Sequence, residues 1–280
     1  MDMLWLFLVA CRTPAPPSPV GIDPATRWVE SPAGIVLEVA VDHYARPEGP
    51  EAGEVVVVGS VHVAEAAFFD VSVASLSSAG DVLYEGLIDD MGADPGEPDR
   101  VAERLGLVSQ SDIDVQRPGW RHADLRQSEL RRRMAEGGVG QGAIVDLLGD
   151  PAAPPPTPEP MADHPTARAL EKLALIKGLA SPPDDDPTYQ RWLIAERNAH
   201  AIAQLPAPGA SVALWFGADH LPDLGRRLQQ AGYEAPERRW VPALIVGYSE
   251  LRLGPTQARM LMERPPEDEA EGPAKKPAAP

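Results

Sequence analysis

Short runs of consecutive apolar residues, each bounded by turn-forming residues, recur along the chain. Residues 55–58 are all valine, and such a run is typical of a parallel strand that is buried on both faces. A helical stretch over 63–79 and a second strand-like run at 81–85 follow, which together predict a βαβ unit. The same order returns later, as a strand over 211–216, a helix over 220–231 and a strand over 240–246. The pattern predicts an α/β fold with a central, mainly parallel sheet flanked by helices.

A β-hairpin is predicted ahead of the βαβ unit. Strand-like residues at 28–30 and 35–41 flank the segment 31–34, which reads Ser-Pro-Ala-Gly. Proline presets φ early in such a turn, and glycine tolerates the positive φ that often ends it.

The middle of the chain differs from these parts because it is polar and rich in arginine. It predicts a helical insertion over about 92–205, with helices at 98–105, 124–136, 165–179 and 187–205. The proline-rich stretch 151–160 is typical of a loop, and residues 263–280 are typical of a disordered tail. One α/β domain is therefore expected over 21–262.

The balance of charge narrows the range of partners. Of the 280 residues, 42 are Asp or Glu and 25 are Lys or Arg, which gives a formal net charge of −17. A surface of that sign repels a phosphate backbone, and an aromatic share of 5% argues against a platform that stacks single-stranded bases. No nucleic-acid partner is expected. The single cysteine excludes an internal disulfide framework and a metal site built from several thiolates.

That cysteine follows an apolar run near the first residue. Residues 3–10 are too few for a transmembrane helix, which needs about 20, but they match the hydrophobic part of a signal peptide. Residues 8–11 read Leu-Val-Ala-Cys and resemble the lipobox of bacterial lipoproteins, in which the cysteine thiol takes a diacylglycerol. The alternative is a fortuitous apolar N-terminus with a buried cysteine.

The lipobox resemblance implies where the protein resides. Cys11 would be lipidated, and residues 1–20 would comprise the signal and a proline-rich tether. Arg12 differs from the Asp-type signal that retains lipoproteins in the inner membrane. The protein is therefore expected in the cell envelope, bound to the membrane by a lipid anchor, in the outer membrane and facing the periplasm.

Three polar residues are predicted at equivalent places in the sheet. Two Gly-x-x-His turns follow strands and end at His62 and His220, and Glu85 ends the strand at 81–84. If the strands are parallel, all three lie at the carboxyl edge, where open α/β folds bind ligands. The alternative for each histidine is a helix cap or a satisfied polar group.

The last predicted helix of the insertion carries charged residues on an apolar stripe. Tyr189 and Trp192 belong to the stripe, Glu196 and His200 lie inside it, and Arg197 lies at its margin. Charged groups on a buried face are costly unless they are paired. Two interpretations stay open, a structural ion pair between Glu196 and an arginine, or a functional site.

Four short motifs occur in the order seen in the TraB/GumN family. They are Gly59-Ser60-Val61-His62, Tyr84-Glu85, Glu196-Arg197-Asn198 and Gly217-Ala218-Asp219-His220. The chain resembles this family over roughly 27–250. The wider superfamily includes Tiki metalloproteases, pheromone-shutdown proteins, erythromycin esterases and ChaN-like haem-binding lipoproteins. The resemblance implies an α/β fold with helices around a central sheet.

The resemblance also implies roles for individual residues. His62 and His220 would be metal ligands or acid–base groups, and Glu85 would be a ligand or general base. Arg197 would orient a carboxylate or stabilise an oxyanion, with Glu196 as its buttress.

Three further residues bear on the same site. Residues 120–125 look like a segment of related bacterial proteins, which adds Asp124 to the candidates. His43 and His122 are disfavoured as ligands because neither lies in a glycine turn after a predicted core strand.

The function that the resemblance implies is a metal-dependent, peptidase-like hydrolase. A divalent Mn, Co or Zn ion would activate water to attack an amide or ester carbonyl in a peptide or small-molecule substrate. One alternative is a metal-independent, esterase-like reaction with a histidine as general base. The other is a haem- or ligand-binding lipoprotein of ChaN type, with a histidine or tyrosine as axial ligand.

Overall fold

The computed structural model describes residues 24–46, 53–86, 97–150, 164–181, 185–206 and 209–264. The strands are β1 Thr26–Glu30, β2 Gly34–Arg46, β3 Gly53–Ser60, β4 Val63–Ala64, β5 Asp81–Tyr84, β6 Val108–Ser109, β7 Trp120–His122, β8 Ser211–Gly217 and β9 Glu237–Gly247. The α-helices are α1 Ala66–Leu76, α2 Glu97–Leu105, α3 Gln127–Glu136, α4 Gln141–Leu148, α5 Pro165–Leu179, α6 Pro187–Tyr189, α7 Glu196–Ile202, α8 Leu221–Gln230, α9 Tyr248–Leu251 and α10 Pro255–Glu263. A π-helix, Gln190–Ala195, joins α6 to α7, and 3₁₀ turns span Gln110–Asp112 and Ala218–His220.

Seven of the described strands form one sheet, built around the long strand β2. One edge of β2 pairs with β1 and then with β3, and its other edge pairs with β9. All three partners are antiparallel to β2, whereas β8, β5 and β7 follow β3 in that spatial order and run parallel to it. Thus β1, β3, β5, β7, β8 and β9 point one way and β2 points the other. The predicted α/β fold, with a mainly parallel sheet flanked by helices, is confirmed.

The predicted hairpin and βαβ unit are both present. The turn between β1 and β2 is closed by the backbone N–H of Ser31, which donates to Gly34 O at 2.9 Å. The two strands of the βαβ unit, β3 and β5, are not neighbours, because β8 lies between them and pairs with both. The run 55–58 in β3 is buried, as its composition predicts.

Several predicted bounds outside the insertion differ from the structure, and two of them change the picture of the sheet. The helix expected from 63 begins at Ala66, because Val63 and Ala64 form β4 and pair with Val108 and Ser109 of β6. The last strand, expected over 240–246, extends over the whole of β9 and lies at an edge of the sheet. Its exposed Pro242 fits that position, because proline has no N–H to donate to a further strand.

The insertion contributes a strand as well as helices. The three residues of β7 pair in parallel with β5 at the edge of the sheet, and the helix expected from 124 begins only at Gln127. Such a short strand shows no detectable period of two, so the pattern misses it. Helices α3 and α4 pack with the π-helix around a second apolar group, here called the cap cluster. It consists of Leu125, Leu130, Met134, Ile144, Leu148 and Trp192.

Several predictions fall on residues outside the described ranges. These are the signal and tether over 1–20 with the lipidation of Cys11, the loop over 151–160 and the tail beyond 264. The predicted tail begins at 263, but that residue still belongs to α10, which the pattern did not predict. In the ranges that are described, no helix combines the length and apolar character needed to cross a bilayer.

Candidate functional site

Three polar side chains meet at the edge where neighbouring parallel strands end. Glu85 directly follows β5, Asp124 lies shortly after β7, and His220 ends the 3₁₀ turn after β8. Because these strands are parallel, their carboxyl ends lie at one edge of the sheet. Arg197, in the first turn of α7, reaches between Glu85 and Asp124.

Both carboxylate oxygens of Glu85 are engaged. Oε1 lies 2.5 Å from Nη2 of Arg197 and 3.3 Å from Nε2 of His220. Oε2 accepts a hydrogen bond from the backbone N–H of Gly217. A Cβ at Gly217 would lie 3.1 Å from Oε2, so a glycine there permits this close approach. The Glu85 side chain is 14% exposed and that of His220 is 4% exposed, which makes the carboxylate the more accessible member of the pair.

Arg197 is a buried link between two carboxylates. Its Nε lies 3.0 Å from Oδ1 of Asp124, and its Nη2 lies 2.6 Å from Oδ2. Its Nη1 donates to the backbone carbonyl of Leu193 at 3.2 Å. Burial by itself would lower the pKa of Arg197, but the carboxylates of Glu85 and Asp124 raise it. The guanidinium therefore stays charged and is already engaged at all three nitrogens. This geometry suits a structural link better than the predicted role of binding a substrate carboxylate or an oxyanion.

Asp124 is itself fixed by the backbone. Its Oδ2 accepts from the N–H of Gly86 at 3.2 Å, and its Oδ1 accepts from the N–H of Leu125 at 2.7 Å. The residue is 4% exposed, and its charge is balanced by Arg197. Asp124 therefore sets the position of the guanidinium that contacts Glu85.

His220 is held at both ring nitrogens. Nδ1 lies 2.7 Å from Oδ1 of Asn198, and Nε2 faces Oε1 of Glu85. The ring of Phe216 packs against the imidazole in an edge arrangement, with 5.6 Å between the ring centroids. The imidazole is thereby fixed with one nitrogen on a neutral amide and the other on a carboxylate.

We expect Glu85 to make folding more sensitive to acid. Burial alone would raise the pKa of Glu85, but His220, Arg197 and the Gly217 N–H hold it well below its ordinary value. A carboxyl group with a lowered pKa in the folded state stabilises the protein fully above its unfolded pKa of about 4.3, and this contribution is lost as the pH falls towards the folded value. Urea unfolding of the wild type and of Glu85→Gln, measured between about pH 7 and pH 3, should show a shallower loss of stability in the variant. Parallel curves would contradict this.

The structure corrects the predicted part played by Glu196. Its carboxylate is half-buried and lies 4.0 Å from Arg133, and the buttress of Arg197 is Asp124. Adjacent residues on a helix point about 100° apart, so Glu196 and Arg197 face different surroundings. The predicted stripe, with Glu196 and His200 inside it and Arg197 at its margin, is also wrong as the buried face, because Glu196 and His200 are half-buried while Arg197 and Asn198 are buried.

The π-helix explains why the predicted stripe fails. Across it, the N–H of Glu196 donates to the carbonyl of Arg191, five residues back, whereas an α-helix would use the carbonyl four residues back. The wider turn rotates everything that follows relative to a regular helix. It therefore brings Arg197 and Asn198, rather than Glu196, to the strand edge.

His62 does not join the cluster, although its turn has the same spacing as that of His220. Its side chain is exposed, and across the described ranges its imidazole makes no ion pair or hydrogen bond with Glu85 or His220. The two turns differ because β4 follows His62, whereas α8 begins directly after His220. The His62 carbonyl instead accepts from the N–H of Gln110, which ties this turn to the insertion.

The residues present do not fit the predicted Mn, Co or Zn ion held by His62, His220 and Glu85. Within the described part of the chain, no group of three or more His, Cys, Asp or Glu side chains is arranged to hold a metal ion. The oxygens of Glu85 are engaged by Arg197, His220 and the Gly217 N–H, and the guanidinium places positive charge where a cation would bind.

The remaining predicted residues lie around this centre. His122 is half-buried, and its Nε2 lies 2.6 Å from the carbonyl of Gly86, whereas His43 is exposed on β2. The sequence predicts Tyr189 only as part of the apolar stripe, whereas its hydroxyl lies 3.4 Å from Oδ2 of Asp219. Burial and Asp219 raise the pKa of Tyr189 to about 12, so the hydroxyl remains a donor near neutral pH.

The roles of Asn198 and Asp223 are not predicted by the sequence. In the sequence, Asn198 is only the last residue of the Glu-Arg-Asn motif, and Asp223 lies in the predicted helix after His220. Asn198 is fully buried and joins His220 to Asp223. The available signal in the sequence was an amide side chain directly after Arg197 within a predicted amphipathic helix.

The fold and this cluster define the class: an α/β protein with a buried Asp–Arg–Glu–His cluster at the carboxyl edge of its mainly parallel sheet. No family model matches the chain, and no curated protein or solved structure shows significant similarity to it. The TraB/GumN resemblance, and with it the peptidase-like and haem-binding functions, therefore stays a prediction.

Proposed function

We propose that the chain is a metal-independent, esterase-like hydrolase in which His220 is the acid–base group. The observation that supports this is the His220–Glu85 pair, with 3.3 Å between Nε2 and Oε1 at the edge where α/β folds bind ligands. The other ring nitrogen is engaged by Asn198, so Nε2 is the nitrogen that exchanges a proton. The Glu85 oxygens and the His220 nitrogen that could bind a metal ion instead contact each other and neighbouring protein groups.

The proposed reaction uses the pair in two steps. Nε2 of His220 takes a proton from a water molecule as the water oxygen bonds to the carbonyl carbon of an ester. The imidazolium then gives that proton to the leaving alkoxide as the C–O bond to the alcohol breaks. One ester and one water become one carboxylic acid and one alcohol, and the histidine returns to its starting state.

Glu85 stabilises the imidazolium in the proposed mechanism. Burial raises the pKa of Glu85, but the charges of His220 and Arg197 outweigh it and keep that pKa well below its ordinary value. The carboxylate is therefore negative when the imidazolium forms, and the ion pair at 3.3 Å stabilises the positive ring. Arg197 and Asp124 keep that carboxylate in place.

The test is hydrolysis of a panel of p-nitrophenyl esters and anilides by the purified full-length chain in the presence of a chelator. We expect ester turnover that falls by at least about a hundredfold in His220→Gln, because general acid–base catalysis contributes at least that much. His43→Gln, which replaces an exposed histidine on β2, is the matched control and should retain the wild-type rate.

Three outcomes would overturn this proposal. Absence of turnover across the panel would exclude esterase activity on simple esters, and full activity in His220→Gln would exclude the assigned base. Activity that the chelator removes and a divalent ion restores would favour the metal-dependent alternative.

A further inference from the structure

A line of hydrogen bonds leads from the back of His220 to helix α8. Oδ1 of Asn198 lies 2.7 Å from Nδ1 of His220, and Nδ2 of Asn198 donates to Oδ2 of Asp223 at 2.9 Å. The same Nδ2 also donates to the backbone carbonyl of His220 at 3.1 Å. Asn198 is fully buried, so water does not compete for these bonds.

The partners of Asn198 determine which way its amide points. A side-chain amide can be turned so that its oxygen and nitrogen exchange places. The Asp223 carboxylate and the His220 carbonyl can only accept hydrogen bonds, so the NH₂ group must face them. The amide oxygen must then face Nδ1, and it can accept there only if Nδ1 carries a hydrogen.

Asp223 is held in the ionised, accepting form by charged neighbours on its own helix. Its Oδ2 accepts from Nε of Arg227 at 2.6 Å, and its Oδ1 is paired with Nη2 of Arg226. Burial raises the pKa of Asp223, but these contacts and the Asn198 amide lower it overall. Arg227 also donates to the carbonyl of Ala195 at 2.9 Å, which fixes α8 against the end of the π-helix.

We propose that Asp223 is a positioning residue that acts through Asn198 to keep a hydrogen on Nδ1 of His220. The proton that the ring exchanges is then always the one on Nε2, which faces Glu85. This inference rests on the proposed acid–base function, but it concerns the tautomer of the ring and can be measured without a substrate. It assigns a part in the reaction to a residue that reaches the imidazole only through Asn198.

The experiment is a pH series of long-range ¹H–¹⁵N spectra of the full-length chain labelled at histidine nitrogen, with signals assigned through His220→Gln. In the wild type we expect Nδ1 to keep the chemical shift of a protonated nitrogen at every pH of the series. In Asp223→Asn the new amide can donate as well as accept, so only the His220 carbonyl still requires the Asn198 NH₂ group, and the neutral ring should populate the second tautomer more than in the wild type. With a hydrolysed ester, kcat should fall by about tenfold with little change in KM.

Asp42→Asn is the matched control. Asp42 is a fully buried carboxylate bound through both oxygens to Arg238, at 2.7 and 2.8 Å, and it lies in β2. The same chemical change is made there, so a comparable loss of stability is expected, but the His220 ring signals should stay as in the wild type.

Each outcome decides a different point. Unchanged His220 signals in Asp223→Asn, with only the stability loss seen in Asp42→Asn, would overturn the positioning role. If the variant fails to fold, the wild-type spectrum still decides, because a neutral ring with its hydrogen on Nε2 contradicts the proposal. A tautomer change in a protein that hydrolyses no ester would retain the positioning role and overturn only the proposed function.

Discussion

Replacement of Arg197 by methionine is expected to lower the free energy of unfolding by about 3–5 kcal/mol, the range found when one partner of a buried ion pair is removed. Methionine keeps much of the length and apolar contact of the side chain but leaves two carboxylates facing each other. Glu85 and Asp124 both contact the guanidinium, and Asp124 is 4% exposed. Urea or guanidinium unfolding near neutral pH measures the loss.

The pH dependence distinguishes this cause from simple loss of packing. In Arg197→Met the uncompensated carboxylates should have a raised pKa in the folded state, because burial and like charge both disfavour ionisation. A carboxyl group with a raised pKa in the folded state lowers the stability in full above that folded pKa. This loss disappears below the unfolded pKa of about 4. The stability gap to the wild type should therefore narrow as the pH falls from about 7 to about 4. A gap independent of pH would contradict the electrostatic explanation.

Arg132→Met is the control for this prediction. Arg132 forms an exposed i,i+4 ion pair with Glu136 on α3, and its side chain is 59% exposed. Exposed helical pairs contribute about 0.3–0.5 kcal/mol, so this variant should stay within that range of the wild type.

Trp192→Ala is expected to cost about 3–5 kcal/mol in the cap cluster, the range for truncation of a buried tryptophan. The indole packs among apolar side chains of α3 and α4 and is 5% exposed. It also lies against Gly137, where an added Cβ would come within 2.5 Å of its ring. Because the cap cluster is separate from the main core, its loss should open α3 and α4 before the sheet.

Hydrogen exchange resolved along the chain is the measurement for the cap. Amides of α3 and α4 should exchange faster in Trp192→Ala, while those of β3 and β8 should keep the wild-type rate. Trp240→Ala is the control, because that half-buried tryptophan lies on β9 and should leave the cap unchanged. Equal acceleration in the cap and the sheet would show that the two clusters unfold as one unit.

Much of the sheet could be predicted from local pattern. The valine run of β3, the turn at Ser31–Gly34 and the strand at 211–216 each carry a signal within a few residues, and all three are confirmed. The order of the strands could not be predicted in this way. The position of β8 between β3 and β5 depends on contacts between segments that are far apart in the chain.

The site could be predicted in part for the same reason. The positions of Glu85 and His220 follow from the ends of predicted parallel strands, and the structure brings the two side chains together. The pairing of Arg197 with Asp124 could not be predicted from spacing. It requires a short edge strand within the insertion and a π-helix that changes the direction of the side chains after it.

The sequence by itself determined the α/β class, the acidic surface and the strand-end positions of Glu85 and His220, because these depend on composition and on periodicity within single elements. Only the tertiary structure decided that His62 stays outside the cluster, that Asp124 rather than Glu196 supports Arg197, and that Asn198 and Asp223 stand behind His220. The physical reason is that a buried charge takes whichever partner the packing brings within hydrogen-bond distance, and that distance is set by the placement of whole elements rather than by local sequence.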